Sequence, residues 1–88
     1  MDNTSTIHSV YIVQCNDGTF YTGYSNNVVR RVKAHNAGRG AKYTRTRTPV
    51  KLVYQRDFSS KPQAMKEEYR IKQLNRENKY KLINTKYL

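Results

Sequence analysis

The stretch Ser9-Val10-Tyr11-Ile12-Val13-Gln14-Cys15-Asn16-Asp17-Gly18-Thr19-Phe20-Tyr21-Thr22-Gly23 decides how the rest of the chain is read. Ser9 to Cys15 is β-branched, aromatic or short, Asn16-Asp17-Gly18 is a strong turn signal, and Thr19 to Gly23 resumes the strand-like pattern, so the segment predicts a β-hairpin. Tyr11 and Tyr21 then lie on adjacent strands. The face each ring occupies depends on a bulge that the pattern does not locate.

Downstream, Ser25 stands where a helix N-cap is expected for a helix over 26–36, with Val28, Val29 and Val32 as its apolar stripe and Gly38 as its stop. Arg31 and His35 fall one turn apart on that helix, so their side chains can converge on one ligand. The segment Arg39 to Thr48 carries Arg39, Lys42, Arg45 and Arg47 with little apolar periodicity, which predicts a loop with one helical turn. After Pro49, Val50 to Phe58 alternates as a third strand, with Leu52 and Tyr54 on one face and Val53 on the other. Ser60, Pro62 and Gln63 start a helix that runs to about Leu74. Asn75 and Asn78 weaken the pattern before a short last helix over 79–85. The order is that of an α+β domain: a small three-stranded antiparallel sheet flanked by helices.

A chain of 88 residues supports one hydrophobic core, placed here in residues 7–88 behind a disordered tail over residues 1–6. Cys15 is the sole cysteine, which excludes an internal disulfide and a multi-cysteine zinc site and suits a reducing, cytoplasmic compartment. No segment reads as a targeting sequence or a membrane span. The 17 Lys and Arg against 6 Asp and Glu give a formal charge of +11, the electrostatic footprint of a phosphate-rich partner. Membrane-surface binding would call for a basic helix with a large apolar face. Here the cations run from Arg30 to Lys86 and are interleaved with tyrosines, of which the chain has eight, a mixture that suits nucleic acid.

The two triplets Ser9-Val10-Tyr11 and Tyr21-Thr22-Gly23, with Arg31 and His35 at fixed distance behind them, resemble the signature of the GIY-YIG nucleases. The resemblance extends over about residues 7–83. It is closest to the small standalone members, which share a stretch like Gly38-Arg39-Gly40-Ala41-Lys42-Tyr43-Thr44. It implies a Mg²⁺- or Mn²⁺-dependent endonuclease holding one ion and cutting one strand per site, in DNA rather than RNA. By the same resemblance the catalytic residues are Tyr11, Tyr21, Arg31, His35 and Glu68, with Glu68 the metal ligand. Ser9 departs from the usual first glycine, and an asparagine that some members carry after the glutamate has no obvious match.

The residue types suit phosphodiester hydrolysis in their own right. Arginine offers a planar fork of donors to the phosphate and its developing charge, a carboxylate can hold a divalent cation, and a tyrosine or histidine can take a proton from water. Each also has a plainer reading: sheet packing for the tyrosines, a solvated charge for either member of Arg30-Arg31, a hydrogen-bonded surface group for His35. Periodicity does not separate Glu67 from Glu68; the resemblance selects Glu68. Lys42, Tyr43, Arg45 and Arg47 are the candidate nucleic-acid contacts. With no room for a target-reading domain, specificity falls to nucleic-acid shape or to a protein partner, or is poor. The rival reading is a nucleic-acid-binding protein on the same fold that cuts weakly or not at all.

Overall fold

The computed structural model describes residues 6–85. The hairpin forms from β1 (His8–Gln14) and β2 (Phe20–Ser25), antiparallel, with Tyr11 opposite Gly23 and Val13 opposite Tyr21. Asp17 closes its turn by accepting the Thr19 hydroxyl at 2.6 Å and the Thr19 amide at 3.1 Å. Gly18 sits there at φ 86°, a backbone conformation that glycine adopts without steric cost.

The third strand, β3 (Lys51–Phe58), pairs with the free side of β1, giving the antiparallel order β2-β1-β3. Its register slips between Ile12 and Val13, which face Tyr54 and Leu52, so Val53 is the extra residue of a bulge. Leu52 and Tyr54 therefore lie on opposite faces of the sheet, not on one as simple alternation predicts. Tyr54 is buried, whereas Leu52 remains 40% exposed. Ser9, at the place of the usual glycine, is buried and donates its hydroxyl to Asp57 of β3 at 2.6 Å.

Helix α1 (Val28–Asn36) is capped by Asn27, whose side chain accepts the Arg30 amide at 3.1 Å. The expected cap, Ser25, accepts the Asn27 amide instead and shapes the approach to the helix. Val28 is buried and Val32 packs beside it, but Val29 is 69% exposed and does not belong to the stripe. Gly38 ends the helix at φ 79°. The basic segment makes one helical turn, α2 (Lys42–Arg45). Helix α3 (Lys61–Lys72) starts at Ser60, which accepts the Gln63 amide, with Pro62 in the first turn. Helix α4 (Arg76–Thr85) starts earlier than the sequence pattern suggests, because Asn75 accepts the Asn78 amide at 2.9 Å and acts as a start signal rather than a break. The tail expected over residues 1–6 lies, Thr6 apart, outside the described residues, as do residues 86–88.

Two apolar clusters form, one on each face of the sheet. Val10, Ile12 and Tyr54 pack against Ala64 and Ile71 of α3 and Ile83 of α4. Tyr11, Val13, Cys15 and Val50 pack against Val28 of α1. A fully buried side chain such as Ile71 contributes roughly 1.5–3 kcal/mol by leaving water. The second cluster is the smaller, and Tyr11, Tyr21 and His35 gather on it. No helix among the described residues is long and apolar enough to cross a membrane.

Candidate active site

Tyr11 points from the central strand toward α1 and is fully buried. Its ring lies directly over Gly23 of the neighbouring strand: a Cβ added there would stand 2.6 Å from the Tyr11 hydroxyl and 2.7 Å from Cζ. The glycine of the second triplet thus makes room for the tyrosine of the first. The Tyr11 hydroxyl meets His35 Nε2 at 2.8 Å, and His35 is also fully buried. On the far side of the imidazole, Nδ1 meets the Thr44 hydroxyl at 2.7 Å. Gly40 seats this ring as Gly23 seats Tyr11, since a Cβ at Gly40 would fall 2.1 Å from His35 Nδ1.

Tyr21 sets its ring edge against His35, with centroids 5.3 Å apart, and stacks loosely on Tyr43 at 6.1 Å. Arg31, half-buried one turn before His35, and Glu68, on α3, complete the cluster electrostatically. Burial pushes the Tyr11 phenol above its ordinary value; the Arg31 guanidinium opposes this by hydrogen bonding and charge, and the charges of Tyr21 and Glu68 reinforce it. Burial, then the positive charge of Arg31, pushes His35 below its ordinary value. At neutral pH the pair is therefore a protonated phenol against a neutral imidazole.

The geometry separates the two glutamates that periodicity left together. Glu67 turns toward β3, where Arg70 holds it by two hydrogen bonds of 2.9 and 2.6 Å and Arg56 lies 3.6 Å away. Its charge acts on Tyr54. Glu68 acts on Tyr11, and its carboxylate is paired with Lys72 at 3.1 Å. A surface cleft of about 590 Å³ lies beside Glu67 and not beside Tyr11. The Glu67 carboxylate is already bound twice by Arg70, so geometry favours the smaller clefts of about 220 Å³ lined by Arg30 and Arg31 and by Tyr21, Tyr43, Lys72 and Lys79.

Among the described residues no three His, Cys, Asp or Glu side chains group as a metal-binding set. A single carboxylate with open coordination fits Mg²⁺, which usually keeps several waters and takes one or two carboxylates plus substrate phosphate oxygens. Glu68, with a side chain 13% exposed, can be that ligand.

The four candidate nucleic-acid contacts divide. Lys42 and Arg45 are exposed. Arg47 is engaged: Nε donates to Asp17 at 3.1 Å, an Nη donates to the Tyr43 carbonyl at 2.6 Å, and the guanidinium lies 4.0 Å over the Tyr43 ring. It clamps α2 to the hairpin turn. The roles of Thr44, Gly23 and Gly40 are not legible in the sequence. A threonine among cations has no periodic signal, and close approach to a ring becomes visible only when the fold brings the ring there.

The described fold and cluster coincide with a family match: residues 7–81 fit the model of the GIY-YIG catalytic domain, and the chain belongs to that family. Similar proteins within it include UPF0213 proteins. One from Staphylococcus haemolyticus is 59% identical, over 86% of this chain and 93% of that protein. One from Halobacterium salinarum is 59% identical, over 88% of this chain and all of its own length. The solution NMR structure of a UPF0213 protein from Bacillus halodurans superposes with a TM-score of 0.61 at 50% identity, covering 91% of this chain and 85% of that one. A second solution NMR structure, from E. faecalis, gives 0.64 at 37% identity over 99% and 92%.

Proposed function

We propose that this protein is a metal-dependent endonuclease that hydrolyses phosphodiester bonds in nucleic acid, DNA rather than RNA, one strand per site. The observation that carries the reading is the buried Tyr11–His35 pair, a neutral proton acceptor on a phenol beside Arg31. The Arg31 fork binds phosphate oxygens and offsets their growing negative charge. The Tyr11 hydroxyl oxygen takes a proton from the attacking water as its own proton passes to His35 Nε2. Glu68 would hold one Mg²⁺ or Mn²⁺, which when bound polarises the phosphate and stabilises the leaving oxygen. Tyr21 confines the imidazole edge and turns its hydroxyl to the same side of the sheet. Lys42 and Arg45 hold the nucleic-acid backbone, and target choice comes from nucleic-acid shape or a protein partner. The Glu68–Lys72 ion pair favours the rival reading, binding without cleavage, because it occupies the one available carboxylate.

The test is an assay of purified protein with Mg²⁺ or Mn²⁺ against single-stranded, duplex, flap and branched DNA and against RNA. Tyr11→Phe is expected to cut at least about 100-fold more slowly, the scale of one general acid–base group. It also leaves the His35 Nε2 position without a partner, at a cost of about 1–3 kcal/mol. In the parent, the rate rises with pH as His35 loses its proton. That limb lies below 6.5, because His35 is shifted down from that value. Tyr21→Phe, which breaks no hydrogen bond to His35, keeps this limb. Cleavage by Tyr11→Phe at the parent rate would remove Tyr11 from the reaction, and binding with no cleavage of any substrate would leave the rival reading.

Binding without chemistry is tested through salt. Lys42→Ala with Arg45→Ala is expected to weaken affinity alike for many sequences and to flatten the salt dependence by roughly two phosphate contacts. Arg47→Ala is left out of that pair, since its loss opens the clamp to Asp17 and confounds binding with stability. An unchanged slope would move the binding surface elsewhere.

A further inference from the structure

We infer that Thr44 is a positioning residue that fixes the tautomer of His35, and so decides whether Tyr11 can release a proton. The inference rests on the nuclease reading for its consequence but not for its geometry. Three buried groups form one hydrogen-bond chain. The Thr44 hydroxyl lies 3.0 Å from the Ala41 carbonyl and 2.7 Å from His35 Nδ1. A hydroxyl has one proton, so when Thr44 donates to Ala41 its oxygen accepts from Nδ1–H. His35 then presents a bare Nε2 to the Tyr11 hydroxyl at 2.8 Å.

The opposite tautomer has a competitor's support, for the Ala41 amide points at Nδ1 from 3.3 Å. Two features decide against it. That contact is the longest of the set, beyond the usual range of an N–H donor, while the Thr44 contact is short. And with Nε2 protonated, the Tyr11 hydroxyl would receive a proton from His35 and need another acceptor for its own. Arg31, the other group that hydrogen-bonds the phenol, carries only donors. Thr44 is fully buried, so water does not stand in freely for its hydroxyl at Nδ1. A second hydrogen bond that sets which imidazole nitrogen is bare is a known way to direct histidine chemistry.

Thr44→Val keeps the shape and deletes the hydroxyl. With no acceptor at Nδ1, the ring is expected to move its proton to Nε2 and accept from the Ala41 amide. Tyr11 then faces a donor. Thr44→Ser keeps the hydroxyl and should behave as the parent. Nitrogen-15 NMR of the imidazole distinguishes protonated from bare ring nitrogens in protein alone, without substrate or metal, beside thermal melts and a cleavage assay. Expected are a bare Nε2 in parent and Thr44→Ser, a protonated Nε2 in Thr44→Val, and a rate at least about 100-fold lower in the valine variant alone, the scale of one proton-transfer group. A bare Nε2 retained in Thr44→Val, or a serine variant that follows the valine one, would overturn the inference. So would an inverted tautomer that cuts at the parent rate. If the parent cuts nothing while the tautomers invert as stated, the nuclease reading fails and the positioning stands as a structural fact about His35.

Discussion

Arg31→Ala and Glu68→Ala are each expected to lower the rate of strand cleavage by at least about 100-fold, the loss typical of one group that stabilises developing charge. Both variants should unfold cooperatively near the parent temperature. Arg31 is half-buried at the edge of the cluster, and the ion pair of Glu68 with Lys72 is open to solvent on the lysine side, so neither removal cuts into the apolar clusters. The arginine carries a second signature. Its charge helps hold His35 below its ordinary value, so Arg31→Ala should raise the His35 value and move the acid limb of the pH–rate profile to higher pH. Its removal also leaves the Tyr11 phenol further above its ordinary value, since Arg31 is what opposes the effect of burial. Arg31→Lys restores the charge but not the fork, and is expected to return the limb without returning the full rate. Glu67→Ala is the matched control. It removes the anchor of Arg70 and Arg56 on the other flank of α3, so it should affect the melt more than the rate. Parent-like cleavage by both Arg31→Ala and Glu68→Ala would place the reaction elsewhere on the molecule.

The sheet was legible in the sequence because short-range signals define it. Asn16-Asp17-Gly18 marks one turn, and branched and aromatic residues mark all three strands. The bulge at Val53 was not legible, because one inserted residue reverses the faces of everything beyond it without altering composition. Asn75 is ambiguous in the sequence for a related reason: asparagine interrupts a helical pattern and also starts one, and its role depends on which amide reaches it. The candidate site followed the same division. Tyr11, Tyr21 and His35, nominated by resemblance, do meet around one imidazole. The choice between Glu67 and Glu68 needed the crossing of α3 over the sheet, which turns one carboxylate toward β3 and leaves the other acting on Tyr11. Thr44 needed the fold as well, since α2 comes back onto α1 only through the turn at Gly38 and Gly40.

Those glycines lead to the other large expected effect. Gly40→Ala places a methyl carbon 2.1 Å from His35 Nδ1, 2.6 Å from Cγ and 2.8 Å from the His35 Cα. The last is backbone in the final turn of α1, still hydrogen-bonded into the helix, so either the loop around Gly40 or the whole imidazole must shift. Either shift breaks the contacts of Nδ1 with Thr44 and Ala41. The expected cost is about 1–3 kcal/mol from overpacking, a fall of roughly 4–8 °C per kcal/mol for a chain this small, together with loss of most cleavage. Gly23→Ala acts from the other end of the pair. Its methyl meets the Tyr11 hydroxyl at 2.6 Å and Cζ at 2.7 Å, so the ring must swing off the strand and away from His35 Nε2. Gly38→Ala separates misplacement of the site from loss of stability. Nothing lies within 4 Å of a methyl there, but φ is +79°, so the variant bears backbone strain and leaves the imidazole in place. Melts and single-turnover rates measured on the three variants should show Gly38→Ala destabilised with its rate per folded molecule intact, and Gly40→Ala and Gly23→Ala deficient in rate even well below their melting temperatures. If Gly40→Ala instead cuts as Gly38→Ala does, the imidazole tolerates displacement, and the precise seating of His35 between Tyr11 and Thr44 is not what the reaction depends on.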